Sequence, residues 1–370
     1  MRIQIVDPSA FTPPYDRSLS AALARAGVEV ELVTSRFGYG PVPEPLGYEV
    51  SESFYRRAGA RGIGSRLRLP LKGAEHLPDM LRFRRRADAE LVHWQWLTLP
   101  ALDRLLVPIP ARPNVFTLHY PLPPAGSRRA LGRQRRILSR FDAVIAHTEH
   151  GARCLREELG LAPDAVWQIP HGAFDYLTQQ SSEQELPPDL AAVEGPVILF
   201  FGLLRPYKGL DVLLKAFQEI AGAELWIAGM PRMPIEPLRE AAAKAPGTVR
   251  FVPRFISDPE IPAYFRRADV VVLPYREIEQ SGVLYTALAF GKPIVVSAVG
   301  GFAELAAEGA ARAVAPGDPT ALATALEALI ADPAERTRLA AAAAAAAAGP
   351  YSWDEIASRT AELYDTLLKS

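Results

Sequence analysis

The chain has 370 residues, 49% hydrophobic and 22% charged, enough for about two globular domains whose cores need neither disulfides nor a structural metal. One cysteine, Cys154, excludes an internal disulfide framework, and the six histidines show no zinc-ligand spacing. The formal charge of −1 divides unevenly, residues 1–175 carrying 24 Lys and Arg against 18 Asp and Glu and the remainder 17 against 24; with no recognised binding module in the basic half, nucleic acid is not expected as a partner.

In chain order, Ile3 to Val6 reads as a strand, the Pro-rich Pro8 to Asp16 as a loop, Ser18 to Ala26 as a helix ended by Gly27, and Val28 to Thr34 as an alternating strand. The opening MRIQIV is too short and too soon interrupted by Asp7-Pro8 for a secretory signal, and no apolar run is long enough to span a bilayer. A soluble protein of a reducing, cytoplasmic compartment is expected. Basic residues cluster at Arg56, Arg57, Arg61, Arg66, Arg68 and Lys72, at Arg82, Arg84, Arg85 and Arg86, and from Arg128 to Arg140. They read either as solvated helix faces or as a surface for anionic lipid, at an inner membrane face, or for a phosphate-bearing acceptor. The glycine-rich Gly59 to Gly64 does not sit between a strand and a helix, so it is no dinucleotide fingerprint. Leu91 to Trp94, Asn114 to Leu118, Ala143 to Ala146 and Ala165 to Ile169 are further strands with helical patterns between them, which predicts a parallel sheet covered on both faces over residues 1–175.

The polar stretch 176–195 reads as a linker. After it the alternation restarts over 196–350: strands at Val197 to Phe201, Glu224 to Ala228, Val249 to Val252, Val270 to Leu273 and Pro293 to Ser297, with helices at Gly209 to Ile220, Ile235 to Ala245, Ile261 to Arg267 and Gly282 to Phe290. Leu322 to Ala348, including nine consecutive alanines, reads as one helix stopped by Gly349-Pro350. A last helix, Trp353 to Leu368, occupies 351–370. Two doubly wound α/β units predict ligand binding in a crevice outside the carboxyl ends of the strands.

The most informative run is Phe200-Phe-Gly-Leu-Leu-Arg-Pro-Tyr-Lys-Gly-Leu-Asp211, where a buried strand gives way to a helix. Gly202 permits close backbone approach, Arg205 and Lys208 supply two cations, and the helix begins at the same spot, the parts of a diphosphate cradle. No Walker loop is present, so γ-phosphate chemistry is not indicated. A second run, Leu273 to Pro293, ends another strand with the carboxylates Glu277 and Glu279 and opens a helix at Gln280-Ser281-Gly282. Its free amides suit an anion, and its carboxylates suit sugar hydroxyls.

These runs, with the Asp7 loop, Phe116-Thr-Leu-His-Tyr120, Ala146-His-Thr-Glu-His-Gly151, Ile169-Pro-His-Gly172, Ala268 to Pro274, Gly291-Lys-Pro293 and Tyr351-Ser-Trp-Asp-Glu-Ile356, give a chain that resembles the retaining nucleotide-sugar glycosyltransferases of family 4, a likeness spanning nearly its whole length. The resemblance implies a GT-B fold, two Rossmann-like domains facing a central cleft, with acceptor and donor bound by the first and second. It implies a metal-independent enzyme with no cofactor, whose donor substrate is a nucleoside diphosphate sugar and whose acceptor is a glycan, a lipid-linked molecule or a small molecule. Arg205 and Lys208 would bind the diphosphate with Gly202, Gln280, Ser281 and Gly282, His119 would contact the transferred sugar, and Glu279, with Glu277 as fallback, would bind sugar hydroxyls. The family's second glutamate falls on Thr286, which cannot bind a ribose diol as a carboxylate does. Tyr15 and Asp16, in a loop lacking the family's glycine pair, are acceptor candidates, and His171 supports the turn at Gly172. The alternatives are a nucleotide-sugar epimerase of the same architecture and a non-catalytic sugar-nucleotide-binding subunit.

Overall fold

The computed structural model describes residues 1–38, 40, 42–59, 65–107, 109–119, 127–278 and 280–369. The chain divides into two compact units, Met1–Gly172 with Trp353–Ser370, and Ala173–Ser352. In the first, β1 (Arg2–Asp7), α1 (Pro13–Arg25), β2 (Glu29–Ser35), β3 (Glu49–Phe54), α2 (Ser65–Arg86), β4 (Leu91–Trp94), α3 (Pro100–Leu106), β5 (Asn114–Thr117), α4 (Arg128–Leu138), β6 (Ala143–Ala146), α5 (Glu149–Glu157) and β7 (Val166–Gln168) follow in order. Among the described residues the strands form one seven-stranded parallel sheet ordered β3-β2-β1-β4-β5-β6-β7. The order reverses beside β1, and ligands of open α/β sheets bind where neighbouring strands diverge in this way. Strands β4, β5 and β6 are buried on both faces, as interior strands of a parallel sheet must be.

The second unit runs α6 (Pro188–Ala191), β8 (Val197–Phe201), α7 (Leu210–Phe217), β9 (Glu224–Ala228), α8 (Glu236–Ala242), β10 (Val249–Val252), α9 (Ile261–Arg267), β11 (Val270–Leu273), α10 (Gly282–Ala289), β12 (Ile294–Ser297), α11 (Gly300–Ala307), β13 (Arg312–Val314), α12 (Pro319–Ala331) and α13 (Pro333–Ala348). Its six-stranded parallel sheet is ordered β10-β9-β8-β11-β12-β13. The core gathers on β8 and β11, whose residues are all buried. The last helix, α14 (Trp353–Lys369), belongs to the first unit. Its buried residues Trp353, Ile356, Ala357, Thr360, Leu363 and Tyr364 repeat at three- and four-residue steps, so one face seals against that unit. Arg25 of α1 donates to Asp354 at 2.6 Å.

Three segments differ from the sequence reading. Residues expected as a loop up to Asp16 turn helical at Pro13, because a proline pair at the first helical positions lacks only amides that would stay unbonded there. The stretch 176–195 lies within the second unit, where Leu177 and Leu190 are buried; its few apolar residues anchor an otherwise polar segment. The expected helix Leu322 to Ala348 is two helices, since Pro333 stops the first and Asp332 accepts from the Ala334 and Glu335 amides to cap the second. Among the described residues no helix is long and apolar enough to cross a membrane.

Candidate functional site

In the second unit, the two informative runs meet at the carboxyl ends of β8 and β11. β8 ends at Gly202, whose φ of 101° and amide bond to Ala228 O at 2.9 Å turn the chain sharply. Residues Pro206–Lys208 make one turn of 3₁₀-helix that passes through Gly209, at φ 69°, into α7. A Cβ on Gly209 would lie 1.9 Å from Pro274 O, so only glycine lets this turn press against the end of β11. Arg276 locks the same contact: its amide donates to Tyr207 O at 2.8 Å, its guanidinium donates to Pro206 O at 2.9 Å, and it pairs with Asp211 at 2.5 Å.

The result is a small polar hollow. Lys208 is only 6% exposed, its Nζ 4.9 Å from the centroid of the buried Tyr275 ring and 3.1 Å from where a Cβ on Gly202 would stand. Tyr275 OH lies 3.4 Å from Ser281 Oγ, at the start of α10, and Val283 in the first turn approaches that same Gly202 position to 3.0 Å. Gly202, Lys208, Ser281 and Gly282 are therefore brought together around one tyrosine. The first amides of α10 have no partner within the helix and add partial positive charge. Arg205 is exposed, and among the described residues neither it nor Lys208 has an ion-pair partner. Gln280 Oε1 is buried and unbonded among the described residues. Glu277 is exposed, and Glu279 lies outside the described residues. Thr286 donates to Gly282 O at 2.9 Å, so its hydroxyl is spent on its own helix.

The first unit assembles a different cluster. His119 follows β5, and its Nε2 donates to Gln95 Oε1 at 2.7 Å, while its Nδ1 faces His147 Nε2 at 3.3 Å. His147 Nδ1 donates to Ile169 O at 3.0 Å. Behind them His93 bonds Thr117 Oγ1 and Tyr364 OH, each at 2.6 Å. Trp96 stacks on His119 at 5.3 Å, and Tyr15 meets His119, His147, His171 and Trp353 at centroid distances of 4.7 to 5.4 Å. Burial holds these imidazoles neutral, pulling His93 down to about 3 and His147 to about 4, and His119 well below its ordinary range with help from neighbouring histidines. Among the described residues no three His, Cys, Asp or Glu side chains converge as metal ligands.

Tyr15 and Asp16 sit on α1 rather than on an open loop, 2% and 1% exposed. Asp7 accepts from the Ser9, Phe11 and Thr12 amides, and burial pushes the carboxyl groups of Asp7 and Asp16 upward. Neither candidate presents its polar atoms to solvent: the Tyr15 ring fills the centre of the histidine cluster, and the Asp16 carboxyl is buried beside Asp7 and Thr12. Gly172 packs so tightly that a Cβ would lie 2.5 Å from the Trp353 ring. Sequence reasoning passed over Tyr275, Arg276, Gln95 and Trp96. Tyr275 and Arg276 lay inside a run already singled out, while Gln95 and Trp96 carried no signal until β4 was placed beside β5.

Two family models match the chain: that described as Glycosyltransferase Family 4 over residues 17–173, and that described as Glycosyl transferases group 1 over residues 195–332. The chain is 28% identical over 249 residues to D-inositol 3-phosphate glycosyltransferase 1 of Catenulispora acidiphila, covering 63% of this chain but only 59% of that protein, less than two thirds of its length. It is 29% identical over 401 aligned positions to phosphatidyl-myo-inositol mannosyltransferase of Mycobacterium leprae, covering 100% of this chain and 98% of the relative. Among solved structures, sucrose-phosphate synthase from Thermosynechococcus elongatus superposes with a TM-score of 0.79 at 21% identity, covering 100% of this chain and 99% of that one. Anabaena HepE in complex with UDP and glucose gives 0.74 at 21%, covering 99% and 100%. These likenesses show the two-domain α/β GT-B fold. With one matching family model on each unit, the chain belongs to the group 1 and family 4 glycosyltransferases.

Proposed function

We propose that the chain transfers a sugar from a nucleoside diphosphate donor to an acceptor hydroxyl with retention of anomeric configuration. The observation that carries this reading is the hollow in the second unit, where Gly202, Lys208 and the start of α10 surround Tyr275. An ammonium held in place and a set of helix amides suit a diphosphate leaving group, since they are oriented before negative charge develops. Arg205, exposed at the rim, is the second phosphate ligand, and Gln280, with its unbonded oxygen, and Glu279 meet the donor's hydroxyls. The departing phosphate then takes the proton of the incoming hydroxyl on the same face of the sugar.

In the first unit, His119 contacts the transferred sugar as a neutral ring, held in orientation by its bond to Gln95 and its stack on Trp96. Tyr15 fills the centre of the histidine cluster and Asp16 is buried beside Asp7 and Thr12, so neither is given an acceptor role. The UDP complexes of Anabaena HepE support a nucleotide-sugar donor. The names of the relatives from Catenulispora acidiphila and Mycobacterium leprae support an acceptor of inositol or lipid-linked type. The test is a transfer assay across uridine, guanosine and adenosine diphosphate sugars with polyol and lipid-linked acceptors, the product's anomeric configuration read by NMR. Transfer with retention is expected; inversion, or donor epimerisation without acceptor, would defeat the reading.

A further inference from the structure

A pocket in the first unit carries cations that its own carboxylates do not neutralise. The loops after β1, β2 and β3 bring Ser9, Arg36 and Tyr55 together with Arg68 and Lys72 of α2 around a cavity of about 100 Å³. That is well below the roughly 300–1,000 Å³ of a site that takes a whole small molecule, so it is sized for one group of a larger ligand. Lys72 is half-buried, its Nζ 4.8 Å from the Tyr55 centroid and 5.5 Å from that of Phe11. Burial lowers its pKa, so the position is costly for an unpaired ammonium.

Among the described residues Arg36, Arg68 and Lys72 have no carboxylate within ion-pair distance, whereas Arg2, Arg25, Arg82 and Arg156 of the same unit are paired. Asp7, the nearby acid, is buried and turns its oxygens to the Ser9, Phe11 and Thr12 amides. The backbone is strained at the pocket as well: Ala10 and Tyr55 hold φ of 50° and 49°, a left-handed conformation that non-glycine residues keep where surrounding structure imposes it. A row of rings leads from the pocket to His119, Phe11 meeting Trp96 at 5.0 Å and Trp96 stacking on His119 at 5.3 Å.

We infer that this pocket binds the phosphate of a phosphate-ester acceptor, with Lys72, Arg36 and Arg68 on the oxyanion and the remainder of the acceptor lying along Phe11 and Trp96 toward His119. Guanidinium forks match phosphate oxygens in pairs, and a lysine adds a point charge. The identification of the ligand as the acceptor rests on the proposed transferase reading; the phosphate site itself does not. The same chemistry is offered by a soluble sugar phosphate and by a phospholipid headgroup.

Calorimetric titration of the full chain with inorganic phosphate and glucose 6-phosphate, alongside sedimentation with phosphatidylcholine vesicles with and without phosphatidylglycerol, tests the inference. Binding of a soluble phosphate is expected, or retention by anionic vesicles alone if the source is lipid. Lys72→Met combined with Arg68→Gln should weaken whichever is seen by about tenfold or more, read in a Lys208→Ala background so that phosphate held in the donor hollow does not contribute. Arg36→Gln, an exposed single change, should show a smaller loss in the same direction and guards against misfolding of the double variant. Absence of both interactions, or full binding in these variants, would overturn the pocket. A parallel titration of UDP, GDP and ADP keeps the readings apart: wild-type protein that takes phosphate but none of the three nucleotides supports the pocket and counts against the donor site.

Discussion

The two units solve the problem of building a polar site on a parallel sheet in opposite ways. The second draws its hollow from two short runs, each carrying the end of one strand and the start of the next helix, and locks them with Gly209 and Arg276. The first draws Tyr15, Gln95, His119, His147 and Trp353 from separate elements and holds them by ring packing and hydrogen bonds in a dry interior. One site gathers basic side chains around a polar hollow; the other suppresses charge by burial. Phosphate binding needs the first arrangement, and a neutral donor or acceptor of hydrogen bonds beside a reacting sugar is served by the second.

The contrast can be broken most forcefully at Lys208. Lys208→Ala should lower turnover by about 100-fold or more, close to 3 kcal/mol of transition-state stabilisation, with the circular dichroism spectrum unchanged. In the first unit the matching perturbation is pH. The His147 imidazole has its pKa pulled down to about 4, so the unfolded chain binds the proton first as pH falls below about 6.5. Stability is then fully present above about 6.5 and is lost progressively down to about 4, by up to about 3 kcal/mol from this residue. Melting temperature followed across that range should show the loss, and His147→Asn should reduce it by this residue's share, the remainder coming from the other buried histidines, His93, His119 and His171. A curve already flat in the wild type would mean that the cluster is wetter than described.

Smaller effects sharpen the comparison. Gly209→Ala should cost about 2 kcal/mol or more in urea unfolding of the second unit, since it puts a methyl against Pro274 O at a positive φ. Arg276→Ala should cost about 1 kcal/mol at most, because its pair with Asp211 is about half exposed and screened; its larger effect should be a raised KM for donor as the turn at Lys208 loosens.

How much was legible follows the same divide. Buried strands such as Val197–Phe201 and Val270–Leu273 announce themselves as unbroken apolar runs, and the Lys208 turn lies between a strand and a helix in plain view. β3 carries little strand signal because its EVSESF pattern is two-thirds polar at the sheet edge, and α2 little helix signal because Pro70 and Pro78 interrupt it. Tyr15 reads as a loop residue because prolines mark turns and helix starts alike, and only packing against Trp353 decides between them. The partnership of Gln95 with His119 depends on β4 lying beside β5, a register no local pattern encodes.

Direct calorimetric titration of UDP, GDP and ADP into wild-type protein and Lys208→Ala is the plainest test of the diphosphate hollow. At least one of the three should bind the wild type, and the variant should lose about tenfold or more in affinity for it. Binding of equal strength to both proteins, or of none of the three to the wild type, would contradict the assignment.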